Sequence, residues 1–151
     1  MTRGIEPRAL LLTEVAHAPV LAALCSIMKI SAKVAPTPVG CIAVIEDVNS
    51  APAAASTLSA HLPQAGILLL RALDQQVDAQ MWLAGELHDR PSPGVIFNET
   101  PELIEQYLLG QISVADLPQV IDSSQIGRFS ALRSLRKVMK EQKKQAPRGE
   151  G

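Results

Sequence analysis

Gly66-Ile-Leu-Leu-Leu-Arg-Ala-Leu-Asp-Gln-Gln-Val-Asp-Ala-Gln-Met-Trp-Leu-Ala-Gly-Glu-Leu-His88 is the stretch on which the fold turns. It opens with an unbroken apolar run, the form of a short strand buried on both faces. Beyond that run Leu73, Val77, Met81, Ala84 and Leu87 recur at three- and four-residue steps, as on one helix face. Val77, Ala79, Met81 and Leu83 also fall at period two, so an alternating strand over 76–84 fits the same residues. The Asp74 cap and the length of the segment favour the helix.

The flanking sequence repeats this alternation. Arg8-Ala-Leu-Leu-Leu-Thr-Glu-Val15 and Gly40-Cys-Ile-Ala-Val-Ile-Glu46 are further apolar runs, expected as buried strands. Between them Pro19 suits a first helical turn, and Val20, Leu21, Leu24, Ile27 and Met28 follow at helical spacing. Two prolines in Val34-Ala-Pro-Thr-Pro38 predict a loop. Asn49-Ser50 ahead of Pro52 starts an Ala-rich helix that runs to Leu62. After Pro91-Ser-Pro93, Gly94–Phe97 reads as a fourth strand. Thr100-Pro101-Glu102 caps a helix through Leu109 that Gly110 ends, and Ile112–Leu117 is a candidate fifth strand. A final helix is expected from Ser123 or Ser124 to about Lys144, with 145–151 as a disordered tail. The expected architecture is a three-layer, doubly wound, parallel five-stranded α/β sheet of flavodoxin-like order in one domain, residues 8–144.

Composition narrows the function classes. The four aromatics, Trp82, Phe97, Tyr107 and Phe129, offer little for stacking on bases. No apolar run has the length of a membrane span and the N-terminus lacks a signal-peptide core, so a cytoplasmic protein is expected. Cys25 and Cys41 lie in apolar stretches without metal-ligand spacing and read as buried free thiols. No GxGxxG, Walker lysine, GxSxG or HExxH pattern occurs, so neither catalysis, a cofactor nor a metal is expected. The net charge of −1 hides a division. Residues 1–122 hold 6 Lys/Arg against 13 Asp/Glu, and residues 123–151 hold 8 against 2.

In element order and punctuation, residues 8–140 resemble the receiver domains of two-component response regulators. The resemblance rests on Val39–Leu58, on Pro63–Leu70, and on Gly110 and Pro118. It implies a phosphorylation pocket, but the family's acidic pair falls on Thr13 and Glu14 and its phosphoacceptor Asp on Arg71. Its hydroxyl falls near Asn98 to Thr100, and its Lys on Leu117. A guanidinium cannot become an acyl phosphate, and its charge opposes Mg²⁺ while offering Glu14 a salt bridge. The resemblance therefore implies a pseudo-receiver that signals through protein–protein interaction and forms a homodimer through the face built by its fourth helix, fifth strand and fifth helix.

The last helix carries Ala131, Leu132, Leu135, Val138 and Met139 on one arc. Arg133, Arg136, Lys137, Lys140, Lys143 and Lys144 lie on the other. That basic arc suits an acidic protein partner. Nucleic-acid phosphates are a second expectation, with Ala115–Leu132 readable as a helix-turn-helix, and an anionic membrane surface would attract the same arc. A third is a small-ligand or enzyme site at the C-terminal edge of the first and third strands, using Glu14, His17, Arg71 and Thr100. His61 and His88 read as surface residues.

Overall fold

A computed structural model of the chain describes residues 7–62, 65–73 and 76–126. Its elements, in order, are β1 (Arg8–Leu12), α1 (Ala18–Ile27), β2 (Ala32–Ala35), β3 (Ile42–Ile45), α2 (Ala51–His61), β4 (Ile67–Leu73), β5 (Gln76–Leu83), β6 (Glu86–Asp89), α3 (Pro93–Glu99), α4 (Glu102–Leu108) and β7 (Ile121–Asp122). The strands form one sheet in the order β6-β5-β4-β1-β3-β2-β7. Every neighbouring pair is antiparallel. Within it β1-α1-β2-β3-α2-β4 has the strand order 4-1-3-2, the split β-α-β arrangement of ferredoxin-like topology. The β5-β6 hairpin extends one edge and β7 the other.

This overturns the parallel, flavodoxin-like expectation and the receiver resemblance with it, because a receiver's sheet is parallel. The apolar runs are nonetheless strands buried on both faces. Along β1 the side chains alternate, so Ala9 and Leu11 join α1 and α2 in one core layer while Leu10 and Leu12 join α4 in the other. Ala43 and Ile45 of β3, with Ile67 and Leu69 of β4, continue the first layer. Ile42, Val44, Leu70 and Ala72 continue the second. Leu21, Cys25, Ala55 and Leu58 close the first layer from the helix side, and Ile104, Tyr107, Leu108 and Leu117 close the second. Helices on both faces make a strand apolar throughout, whatever the direction of its neighbours.

Residues 66–88 form strands β4 and β5 and most of β6. β4 and β5 pair from Ile67↔Trp82 to Leu73↔Gln76, with only residues 74 and 75 between them. Asp74, the expected helix cap, lies outside the described residues. β5 turns into β6 through Ala84 and Gly85, whose φ values of 50° and 89° match a tight hairpin of positive-φ residues. The turn is tied to α2, where the Ser56 hydroxyl donates to the Gly85 carbonyl at 2.7 Å and the Gly85 amide donates to Ser59 Oγ at 2.9 Å. The period-two pattern therefore wins over the 3.6-residue pattern because β4 supplies seven paired positions.

Other boundaries shift as well. β2 occupies Ala32–Ala35, immediately before Pro36, and its last two residues fall in the Val34–Pro38 segment expected as loop. Gly94–Phe97, expected as a strand, lies in α3, whose first turn takes Pro93 without losing a helical hydrogen bond. Ile112–Leu117 is not a strand; Val114–Asp116 form a single 3-10 turn with Ser113 and Asp116 bonded reciprocally. Residues 115–122 hold no supporting helix for a helix-turn-helix, and Ser123–Gln125 form a 3-10 turn. The remainder of the expected final helix, 127–144, and the tail 145–151 lie outside the described residues. α1, α2 and α4 stand close to where the sequence places them, and Gly110, with φ of 79°, follows α4 as expected. Among the described residues no helix is long and apolar enough to cross a membrane.

Both cysteines are free and buried, as the sequence predicts. Burial pushes the Cys25 thiol up from 9.0 to about 12. An unfolded chain ionises this thiol near 9.0, whereas the folded chain resists until about 12. The stability that this difference supplies is complete below the lower value and disappears as pH rises through the upper one. Denaturant midpoints are expected to fall between about pH 9 and pH 12, and Cys25→Ala is expected to flatten the part of that decline due to this thiol. An unchanged decline in Cys25→Ala assigns alkaline sensitivity to another group.

Candidate functional site: a cleft at the end of the sheet

Antiparallel pairing decides which strand ends meet. Leu12 is level with Leu68, so the end of β1 stands beside the start of β4 and, through Leu68↔Met81, beside the end of β5. Beyond Leu12 the chain is pinned to β3. The Thr13 amide donates to the Cys41 carbonyl at 3.0 Å, the Thr13 hydroxyl donates to the same carbonyl at 2.8 Å, and the Cys41 amide donates to the Val15 carbonyl at 2.8 Å. α3 covers this corner from the face that α4 also occupies.

The result is an open cleft of about 380 Å³. Leu12, Leu68, Met81 and Ile96 form its apolar lining, and Gly66 leaves bare backbone there. A Cβ on Gly66 would stand 2.5 Å from the Met81 sulfur, so the sulfur occupies the space that a side chain would need. Val39 and Leu83 line the same cleft and are 45% and 36% exposed. The large exposed apolar residues of the described chain number four, and a third, Val95, neighbours Ile96 on α3. Two of these four thus line the cleft itself. Two exposed carboxylates, Glu14 and Glu99, also line it. The Thr100 hydroxyl, in the same lining, is buried without a hydrogen-bond partner.

Of the residues that the sequence singled out, the cleft assembles Thr13, Glu14 and Thr100. Arg71 stands elsewhere. It is level with Ala9, three strand positions or about 10 Å from the Leu12 end, and its place in the alternation of β4 puts it on the α1/α2 face. It bonds Asp78, directly across the β4-β5 pair, at 3.2 Å instead of Glu14. Leu117 is buried in the second core layer. Three of the five expected pocket positions therefore meet and two, Arg71 and Leu117, do not; β4 runs antiparallel to β1, so Arg71 lies toward the opposite end of the sheet from Thr13 and Glu14. His17 is exposed at the start of α1, and its side chain makes no capping bond. Arg133, Arg136, Lys137, Lys140, Lys143 and Lys144 lie outside the described residues.

A larger groove of about 450 Å³ lies between the end of α1 and the start of α2. Its two carboxylates are already engaged. Glu46 is paired with Lys33, which raises the Lys33 ammonium through that hydrogen bond, and the Asp47 carboxylate accepts from the Asn49 amide at 3.1 Å. It lacks the exposed apolar side chains of the smaller cleft, which is the better candidate for recognition. Among the described residues no group of three or more His, Cys, Asp or Glu is placed to hold a metal.

Val39, Leu83 and Glu99 were not singled out from sequence. Val39 sits between Pro38 and Gly40, a signal of a constrained turn, but nothing in its local pattern says that its side chain lines a cleft. No family model matches the chain, and neither a curated protein nor a solved structure matches it.

Proposed function

We propose that this chain is a protein-binding module whose sheet-end cleft takes an amphipathic segment bearing apolar and basic side chains. The observation that carries this reading is the meeting of Val39 and Leu83, both exposed, with the carboxylates of Glu14 and Glu99 in one cleft. Apolar side chains entering the cleft gain by leaving water, about 25 cal/mol for each Å² buried. The carboxylates favour a basic partner and set its orientation more than its affinity. The reading is one of binding rather than catalysis.

A photo-crosslinking side chain at Val39 of the full chain, expressed in its own cells, is expected to give a discrete protein adduct. The same group at exposed Asn49 should not give it, and Leu83→Asp should remove it. The absence of any protein adduct at Val39, or the same adduct from both positions, overturns the reading.

A further inference from the structure

We infer that the segment bound in this cleft is the basic C-terminal stretch of a second copy of the same chain, which rests on the protein-binding reading above. The two surfaces are complementary in kind. The cleft offers Leu12, Leu68, Val39 and Leu83 beside Glu14 and Glu99. Residues 131–144 offer five apolar side chains at helical spacing and six basic ones on the opposite arc. The charge division along the chain runs the same way, with an acidic excess before residue 123 and a basic excess after it. Laid as a helix with its apolar arc inward, this stretch carries Lys143, Arg136 and Lys140, the basic residues next to that arc, along one side of the rim that bears the carboxylates.

Where the described chain ends selects a second copy over the same one. Ser123 bridges the Ile30 carbonyl and the Ala32 amide at 2.7 and 2.9 Å, and the Ser26 hydroxyl donates to the Ile126 carbonyl at 2.8 Å. These contacts hold Ile126 at the β2 edge, where it packs with the α1/α2 core layer. Ala32 is level with Ala9 through Ile45, whereas the cleft begins at Leu12 and opens on the α3/α4 face. The separation spans three strand spacings, three strand residues and the thickness of the sheet, about 20 Å in a straight line through the core. Ala131 is five residues beyond Ile126 and reaches at most about 18 Å, with a path that must also go round the sheet, so the same copy cannot seat the stretch from its first apolar residue onward. Exchange between two copies satisfies both clefts at once and closes as a two-fold dimer.

Sedimentation of the full chain at about 100 μM is expected to show a dimer that weakens as salt rises. Glu14→Lys with Glu99→Lys, both at exposed positions, is expected to weaken it about tenfold, and Arg136→Glu with Lys140→Glu by a similar factor. Combining the four changes restores opposite charges and should return affinity to within about threefold of the starting chain. A starting chain that sediments as a monomer overturns the inference, as does a combined variant no tighter than its parents. A Val39 adduct to a different protein, with the chain monomeric, overturns this inference and leaves the binding-module reading standing. No Val39 adduct at all overturns both.

Discussion

Gly40→Ala is expected to destabilise the protein by about 4 kcal/mol or more, the range reserved for changes the backbone cannot absorb. Gly40 has φ of 130°, a conformation that L side chains rarely adopt. A Cβ there would stand 1.9 Å from the Thr13 carbonyl oxygen, 3.0 Å from its carbon and 3.2 Å from the Glu14 Cα. All three are backbone atoms, and the segment that holds them is bonded to Cys41 through Thr13 and Val15. Relieving the clash therefore means parting β1 from β3 at the cleft. Gly110→Ala is the control, since Gly110 also has positive φ, 79°, but nothing lies within 4 Å of its added Cβ. It should cost only about 1 kcal/mol, from conformation alone. Urea midpoints measure both, and a Gly40→Ala loss no larger than that of Gly110→Ala would refute the close-approach argument.

Arg8→Ala is expected to cost about 3 kcal/mol. Arg8 Nη1 donates to the Tyr107 carbonyl at 2.7 Å and to the Ile112 carbonyl at 2.6 Å, and its guanidinium carbon stands 4.5 Å from the centre of the Tyr107 ring. One cation at the start of β1 thus bonds a carbonyl in the last turn of α4, another just beyond it, and stacks on the helix's tyrosine. Hydrogen bonds from a charged donor contribute about 1.5–3 kcal/mol each, and the face of the ring adds to them. Arg8→Lys keeps the charge without the planar guanidinium and should fall between the two. Denaturation midpoints give the size of the loss, and hydrogen exchange over 102–112 gives its location. A loss below about 0.5 kcal/mol, or exchange unchanged in α4, would show that Tyr107, Ile104 and Leu108 hold the helix by burial alone.

These two residues show how differently local and distant chemistry appear in a sequence. Gly40 stands between Pro38 and a strand, so a turn there could be anticipated. That its missing side chain makes room for the Thr13 carbonyl, 27 residues earlier in the chain, could not. Arg8 reads as a charge at the start of an apolar run, and its carbonyl partners lie 99 and 104 residues away. The cleft is of the same kind. Glu14 and Thr100 were selected from sequence for a pocket of another design, while Val39 and Leu83 carry no local signal of recognition.

Burial, and most of the helices, followed from sequence alone. The unbroken runs in β1, β3 and β4 required both faces of a sheet to be covered, and the proline-led starts of α1 and α2 placed those helices within a residue or two. Strand direction did not follow. Each strand of an antiparallel sheet with helices on both faces presents the same apolar string as a strand of a parallel one, since burial fixes side-chain character and says nothing of the neighbour's polarity. In Gln76–Leu83 the two periodicities coincide, and only pairing with β4 over seven residues selects the strand. That selection turns a helix into a hairpin, carries Arg71 to Asp78 instead of Glu14, and brings Met81 and Leu83 to the cleft that Glu14, Val39 and Glu99 also line. The sheet's direction is a property of long-range pairing, and the cleft exists because of it.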